Sequence, residues 1–265
     1  MEGKPKDIKV ELYHDNFQNF KRYNIPRAQL VIADIPYNTG SSAYGSNPMW
    51  YIDGDNKKGE SELAGKQFFN TDKNFNLVEY MHFCNKLLKK EPKERNRAPA
   101  MIIFCAWNQM EMLADIGRRY GFKNCYPMFF IKNYSPQVLK ANMRIVGATE
   151  HAVVLYRDKL PKFRNNGRMI FNWMKWPRDN NTPKIHPNQK PILLLKRLIE
   201  IFTDEGDIVI DPVAGSGTTL KAAAEMNRHA YGFEVDRKFY KDAKEIMLSS
   251  IQLSFTLGQT MLGGK

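Results

Sequence analysis

Long apolar runs are missing from this sequence. The longest, "AMIIFCAW" (100–107) and "PILLLKRLI" (191–199), fall well short of the roughly 20 residues that cross a bilayer. The opening "MEGKPKDIKVELYHD" holds no apolar core of the kind a secretory leader needs. Cysteine is scarce: Cys84, Cys105 and Cys125 are odd in number and lack metal-ligand spacing, which argues against a disulfide framework or a structural zinc. These deficits predict a reduced, cytoplasmic protein with no membrane partner and no metal. Acids are also outnumbered, 28 against 40 Lys and Arg, leaving a net charge of +12. Such an excess favours polyanionic partners without specifying a fold. The imbalance is local, because residues 132–184 hold 11 basic side chains and only three acids, Glu150, Asp158 and Asp179.

What is present is enough for a core. With 265 residues, 43% of them hydrophobic and 12% aromatic, the chain suits one large domain or a core domain with a smaller insertion. Short apolar runs read as strands: "IKVELYHD" (8–15), "AQLVIAD" (28–34), "AMIIFCAW", "YPMFFIK" (126–132), "HAVVLYR" (151–157), "DIVIDP" (207–212) and "HAYGFEVD" (229–236). Between them lie helical stripes. Residues 74–91 space Leu77, Tyr80, Met81, Cys84, Leu87 and Leu88 along one face, and "NQMEMLADIGRRYGF", "ILLLKRLIEIFT", "GTTLKAAAEMN" and "RKFYKDAKEIMLSSIQL" read likewise. Strands alternating with helices predict an α/β sandwich around a mostly parallel sheet. Residues 38–73, rich in Gly, Ser, Asn and Lys, are long for a loop inside a domain, which predicts a functional or mobile segment.

The strongest local signal is "DIVIDPVAGSGTTLKAAAE" (207–225). An apolar strand runs into an acid, then a loop with Gly215 and Gly217, then a helix opened by Thr218 and Thr219. Glycines let backbone approach a ligand closely, and a helix start offers free N–H groups to anionic oxygens. The plain alternative is a tight strand-to-helix turn. A dinucleotide loop wants a third glycine where Leu220 stands, and a nucleotide phosphate loop wants a lysine that Gly217-Thr218-Thr219 lacks. Glu234 ends the next strand, 23 residues after Asp211, where an acid can bind ribose hydroxyls. A ligand with a ribose and a zwitterionic amino-acid end, without phosphate, fits this pattern, and S-adenosylmethionine has both.

Three spaced motifs, "DIPY" (34–37), "HPNQKP" (186–191) and "DPVAGSGTT" (211–219), resemble those of the amino-methylating DNA methyltransferases. Their order is similar to that of the permuted beta group, in which the catalytic motif comes first and the cofactor loop late. The resemblance implies a circularly permuted, Rossmann-like methyltransferase sandwich, with residues 1–131 and 186–265 forming the catalytic and cofactor-binding domain. It implies Asp34, Ile35, Pro36 and Tyr37 as the catalytic motif: Asp34 and the carbonyl of residue 35 accept hydrogens of the target amine, Pro36 fixes the turn, and Tyr37 stacks on an extruded base. It assigns to S-adenosylmethionine Asp15, Asp34, Asn188, Gln189, Lys190, Asp211, Pro212, Ala214, Gly215, Ser216, Gly217, Thr218, Thr219 and Glu234. Plainer roles stand beside some of these: Asp15 as a cap before "NFQNF", Pro191 and its neighbours as a helix start, the threonines as caps. His186 is expected to be structural, and Glu150-His151, a family "HE" pair in reversed order, receives no role. Two departures are visible. Ile35 replaces the usual Pro of "DPPY", and Val213 replaces the usual Phe beside the cofactor.

The basic 132–185 stretch, with Tyr134, Phe163, Phe171, Trp173 and Trp176, is the candidate region for reading double-stranded DNA. The 38–73 loop, following the catalytic motif, is expected to close over the target base or cofactor. Asp at position 34 favours adenine N6 over cytosine N4 within the resembled family. Three alternatives stay open: cytosine-N4 methylation, amino-methylation of RNA, and nucleic-acid binding without catalysis on the same fold. So do a homodimer and a partner restriction nuclease.

Overall fold

The computed structural model describes residues 8–37, 75–133, 137–138, 146–249 and 251. The 38–73 loop expected to close over the site lies outside these residues, as do Tyr134, Lys140 and Arg144 of the basic stretch. The described elements are β1 (Val10–His14), β2 (Leu30–Asp34), α1 (Leu77–Leu87), β3 (Ala100–Cys105), α2 (Met110–Arg119), β4 (Asn124–Ile131), β5 (Gln137–Val138), β6 (Val146–Gly147), β7 (Thr149–Tyr156), β8 (Trp173–Lys175), α3 (Ile192–Phe202), β9 (Ile208–Asp211), α4 (Thr218–Glu225), β10 (His229–Glu234) and α5 (Arg237–Asp242).

Eight strands form one sheet in the order β1-β10-β9-β2-β3-β7-β4-β8, while β5 and β6 make a separate two-stranded pair. Seven strands run the same way. Only β7 is reversed, pairing antiparallel with both β3 and β4. The two-residue alternation of side chains explains the sandwich. On β2, Leu30 and Ile32 join the apolar cluster that holds Leu195 and Leu198 of α3 and Ala222 and Ala223 of α4. Val31 and Ala33 point the other way, into the cluster of Met81 and Cys84 from α1 and Leu113 from α2. With both faces covered, β3 is buried at all six positions, so it reads as a continuous apolar run.

Strand order places the site. The N-terminal β1 pairs with the C-terminal β10, and β2 pairs with β9, so the two ends of the chain build one sheet as a permuted fold requires. From β9 the chain order proceeds outward in opposite directions on either side of the β9–β2 boundary. Ligands of open α/β sheets bind outside the carboxyl ends of strands at such a boundary. Asp34 ends β2 and Asp211 ends β9, the two neighbouring strands that flank that point. Among the described residues no helix is long and apolar enough to cross a membrane.

Most elements lie where periodicity puts them. The closing helix differs: α5 stops at Asp242 and gives way to a wider π turn over Ala243–Met247. The short β8 was not expected, since only three residues pair with β4 at the sheet margin.

Candidate active site

The 34–37 turn is held from both sides. Ile35 is buried, and its N–H donates to the Phe104 carbonyl at 3.2 Å, a bond that the usual proline could not make. The Ile substitution therefore extends the β2–β3 ladder by one bond while leaving its own carbonyl in place. Beyond it, the Pro36 carbonyl accepts from Gln109 Nε2 at 2.9 Å, and Gln109 Oε1 accepts from the Ala106 N–H at 2.9 Å. Gln109 thus ties the motif to the end of β3.

Asp34 has two unlike oxygens. Oδ2 accepts from the Lys190 ammonium, while Oδ1 is shielded from solvent and has no hydrogen-bond partner among the described residues. Burial pushes the Asp34 carboxyl above its usual range, against the ammonium of Lys190, which favours the charged form. Lys190 itself is buried, its Nζ lying 5.3 Å from the Phe104 ring centre, 5.5 Å from Tyr37 and 5.9 Å from Trp176.

A second acid stands beside the first. The Tyr37 hydroxyl donates to Glu150 Oε2 at 2.7 Å, and Glu150 Oε1 pairs with Lys132 Nζ, which sits over the Trp176 ring at 4.7 Å. Burial would raise the Glu150 carboxyl, but the ammoniums of Lys190 and Lys132 outweigh it and hold the group well below its usual range. Glu150 reaches this edge because β7 is antiparallel, so its start meets the ends of its neighbours.

The glycine loop is built as its sequence demands. Gly215 and Gly217 have φ of 51° and 73°, the left-handed region that side chains disfavour. Gly215 N–H donates to Glu234 Oε2 at 2.8 Å, and Asp236 N–H donates to Glu234 Oε1 at 2.7 Å. Asp211 Oδ1 accepts from the Val213 N–H at 3.0 Å, and the Thr219 side chain also bonds this carboxylate. Ser216 and Thr218 share a hydroxyl contact of 2.6 Å at the start of α4. Burial raises both Asp211 and Glu234 to about 7. Gly232 on β10 keeps the layers close: a Cβ there would lie 2.8 Å from Leu220 Cδ1 and 3.1 Å from both Ala214 Cβ and the Asp211 carbonyl. Gly232→Ala is therefore expected to lower stability by about 1–3 kcal/mol, the cost of overpacking, read from denaturant unfolding. An unchanged midpoint would show that the loop yields freely.

The remaining residues singled out in the sequence divide. The Asp15 carboxylate, just beyond β1, accepts from Asn16 N–H and Asn19 Nδ2 at 2.7 Å each and from Tyr23 OH at 2.8 Å. Gln189 braces its own segment, accepting from Ile185 N–H at 3.2 Å and donating to the Pro183 carbonyl at 2.9 Å, while Asn188 is exposed. His186 packs edge-on against Phe239 at 4.4 Å between ring centres and lies against Gly215, and burial lowers its pKa to about 4. Val213, in place of the family Phe, is partly buried against the α1/α2 cluster. Trp176, grouped with the base-reading aromatics, is buried against Phe130 and the two ammoniums. Sequence reasoning missed Glu150, Lys132 and Gln109 as site residues, because their roles depend on which strands are neighbours.

Residues 28–245 match the profile of the N6/N4 family described as DNA methylase. The chain belongs to that family. Among curated DNA methylases, it is 24% identical over 256 residues to the DNA adenine methyltransferase YhdJ of Escherichia coli (strain K12), covering 89% of this chain and 81% of that one. It is 53% identical over 162 residues to the type II methyltransferase M.HindIII of Haemophilus influenzae, a match that spans 57% of this chain and 51% of the relative. Solved structures share the fold. The M1.HpyAVI–SAM complex superposes with a TM-score of 0.61 at 24% identity, covering 89% of this chain and 98% of that one. The PvuII cytosine-N4-specific DNA methyltransferase gives 0.64 at 15% identity, covering 100% and 97%.

Proposed function

We propose that this DNA methylase transfers a methyl group from S-adenosylmethionine to N6 of an adenine turned out of duplex DNA. The observation that carries the reading is Asp34 Oδ1, a shielded acceptor without a partner among the described residues, at the end of the strand next to the glycine loop. The residues around that loop suit the cofactor: two left-handed glycines, a helix start without a side-chain cap, and a carboxylate at the tip of the adjacent strand. When bound, S-adenosylmethionine supplies an electrophilic methyl on a sulfonium. In adenine the N6 lone pair is delocalised into the ring, so the amine is a poor nucleophile. Asp34 Oδ1 and the Ile35 carbonyl would accept its two hydrogens, favour a more tetrahedral nitrogen, and stabilise the positive charge that develops there on methylation, until the nitrogen releases one of those hydrogens as a proton to solvent. Gln109 braces the turn that carries it through the next carbonyl, that of Pro36, and the ring of Tyr37 offers a stacking face.

Residues 132–185 are assigned the recognition role, less β7, which lies inside the main sheet, and with β8 as that sheet's edge strand. Part of their charge is spent internally: Lys162 pairs with Asp204 and Asp207, and Arg164 with Asp204. Arg168, Lys175 and Lys184 are exposed, as are Phe171 and Trp173, whose rings stack at 5.9 Å between centres. A positive surface with open aromatics suits phosphates and bases together.

The test is to incubate the protein with labelled S-adenosylmethionine and unmethylated duplex DNA and identify the modified nucleoside by mass spectrometry. N6-methyladenine supports the proposal. N4-methylcytosine, the product class of the PvuII enzyme, would overturn the base assignment, and label appearing only in RNA would overturn the partner. Cofactor affinity carries its own signature. Glu234, raised by burial to about 7, must be ionised to accept fully from ribose hydroxyls. Affinity should therefore fall several-fold as pH drops from about 8 to about 6, and Glu234→Gln should flatten this dependence in calorimetric titrations. A wild-type affinity independent of pH would remove Glu234 from the contact.

A further inference from the structure

We propose that Glu150 is a positioning residue for methyl transfer, acting through the hydroxyl of Tyr37 to fix the ring on which the target base stacks. The proposal rests on the methyltransferase reading above and adds a residue to it. Glu150 stands opposite Phe130 in the β4–β7 register, at the only end of β7 that reaches the catalytic edge. Its two oxygens are divided between two tasks, one accepting from Tyr37 OH at 2.7 Å and the other pairing with Lys132.

The geometry explains why the ring needs such a contact. Tyr37 lies three residues past the end of β2, beyond the strand ladder that holds Asp34 and Ile35. Gln109 secures the Pro36 carbonyl, but nothing in that bond sets the Tyr37 side-chain torsions. A phenol hydroxyl anchored on a carboxylate fixes the far end of the ring through a charge-assisted bond. A phenylalanine would stack equally well on a base, so the hydroxyl contributes through what it touches.

The ion pair behind it points the same way. Lys132 and Glu150 have side chains only 8% and 17% exposed. Burying such a pair gains little or no stability over an apolar pair of similar size. Lys132 instead keeps the acceptor of the Tyr37 hydroxyl charged and aimed. The chain therefore sets two acids, Asp34 and Glu150, against two ammoniums, Lys190 and Lys132, with Tyr37 between them. One acid faces the target amine, and the other faces the stacking ring.

The experiment measures single-turnover methyl transfer into duplex DNA, cofactor affinity and melting temperature for wild type, Glu150→Ala, Glu150→Gln, Tyr37→Phe and the Tyr37→Phe/Glu150→Ala pair. Expected for Glu150→Ala is a loss of about tenfold in transfer rate, as small misplacements at a reacting centre give, with cofactor affinity within about twofold. Glu150→Gln, which keeps an oxygen for the hydroxyl, should recover part of the rate. Tyr37→Phe should lose at least as much as Glu150→Ala, since its hydroxyl also bonds the Asp34 carboxylate, and the double variant no more than Tyr37→Phe alone, because both remove the Tyr37–Glu150 contact. Tyr37→Phe leaves the Glu150–Lys132 pair intact, so it decides the matter if Glu150→Ala fails to fold.

Wild-type rates in Tyr37→Phe or in a folded Glu150→Ala would overturn the proposal, as would losses that multiply in the double variant. A Glu150→Ala loss matched by equal losses in cofactor binding and melting temperature would reduce Glu150 to a structural role. These outcomes leave the methyltransferase reading standing. Wild-type protein that labels no nucleic acid would overturn that reading and this proposal with it.

Discussion

Asp34→Ala is expected to lose methyl transfer by about a thousandfold or more while binding S-adenosylmethionine nearly as well as wild type. Removing one donor or acceptor aimed at developing charge typically costs ~10²–10³ in rate, and Asp34 additionally leaves Lys190 as a buried, unpaired ammonium when it is truncated. The cofactor loop should tolerate the change, since Gly215, Glu234 and Asp211 are held by bonds that do not involve Asp34. Single-turnover transfer and calorimetric titration, run on the same preparation, separate the two effects. A variant within tenfold of wild type would remove Asp34 from the chemistry. One that loses cofactor binding in proportion would make it a binding residue instead.

Lys190→Met is expected to lower the rate at neutral pH by about ten- to a hundredfold and, at saturating cofactor, to make it climb with pH more steeply than wild type. Burial already raises the Asp34 carboxyl, and the Lys190 ammonium opposes that rise. Without the ammonium the carboxyl titrates still higher, so at neutral pH more of it carries a proton and cannot accept from the amine. Raising the pH ionises it and restores part of the rate. The stability effect has the matching sign. An acid whose folded pKa exceeds its unfolded value favours folding at low pH, and that contribution is lost as pH rises toward the folded value. The variant should therefore lose melting temperature, relative to wild type, as pH increases. A rate that falls equally at every pH would place Lys190 with the cofactor alone, the role its motif implied.

How much of this was legible beforehand follows from what each feature depends on. The strands β2, β3 and β9 announce themselves because both their faces are covered, which leaves unbroken apolar runs. The glycine loop is readable because positive φ restricts Gly215 and Gly217 to a residue without a Cβ. Glu234 is readable because its distance from Asp211 is fixed by one helix and one strand. Glu150 was not readable as a partner of Tyr37. The 113 positions that separate them in sequence close only through the antiparallel insertion of β7 between β3 and β4. Lys190 shows the same limit from the other side. Its motif marked it as important, but only the fold shows its ammonium on Asp34. The basic count of 132–184 overstated the charge available to DNA, since Lys162 and Arg164 are held by Asp204 and Asp207 outside the stretch.

The most direct test of the central claim is a crystal structure of the protein with S-adenosylhomocysteine and a duplex carrying its methylated site, mapped beforehand by sequencing. The account predicts an extruded adenine whose N6 lies within hydrogen-bond distance of Asp34 Oδ1 and the Ile35 carbonyl, with Lys190 still on Oδ2 and the base stacked on Tyr37. A target base whose amine faces away from Asp34, or one seated with Lys190 displaced into the amine's place, would contradict it.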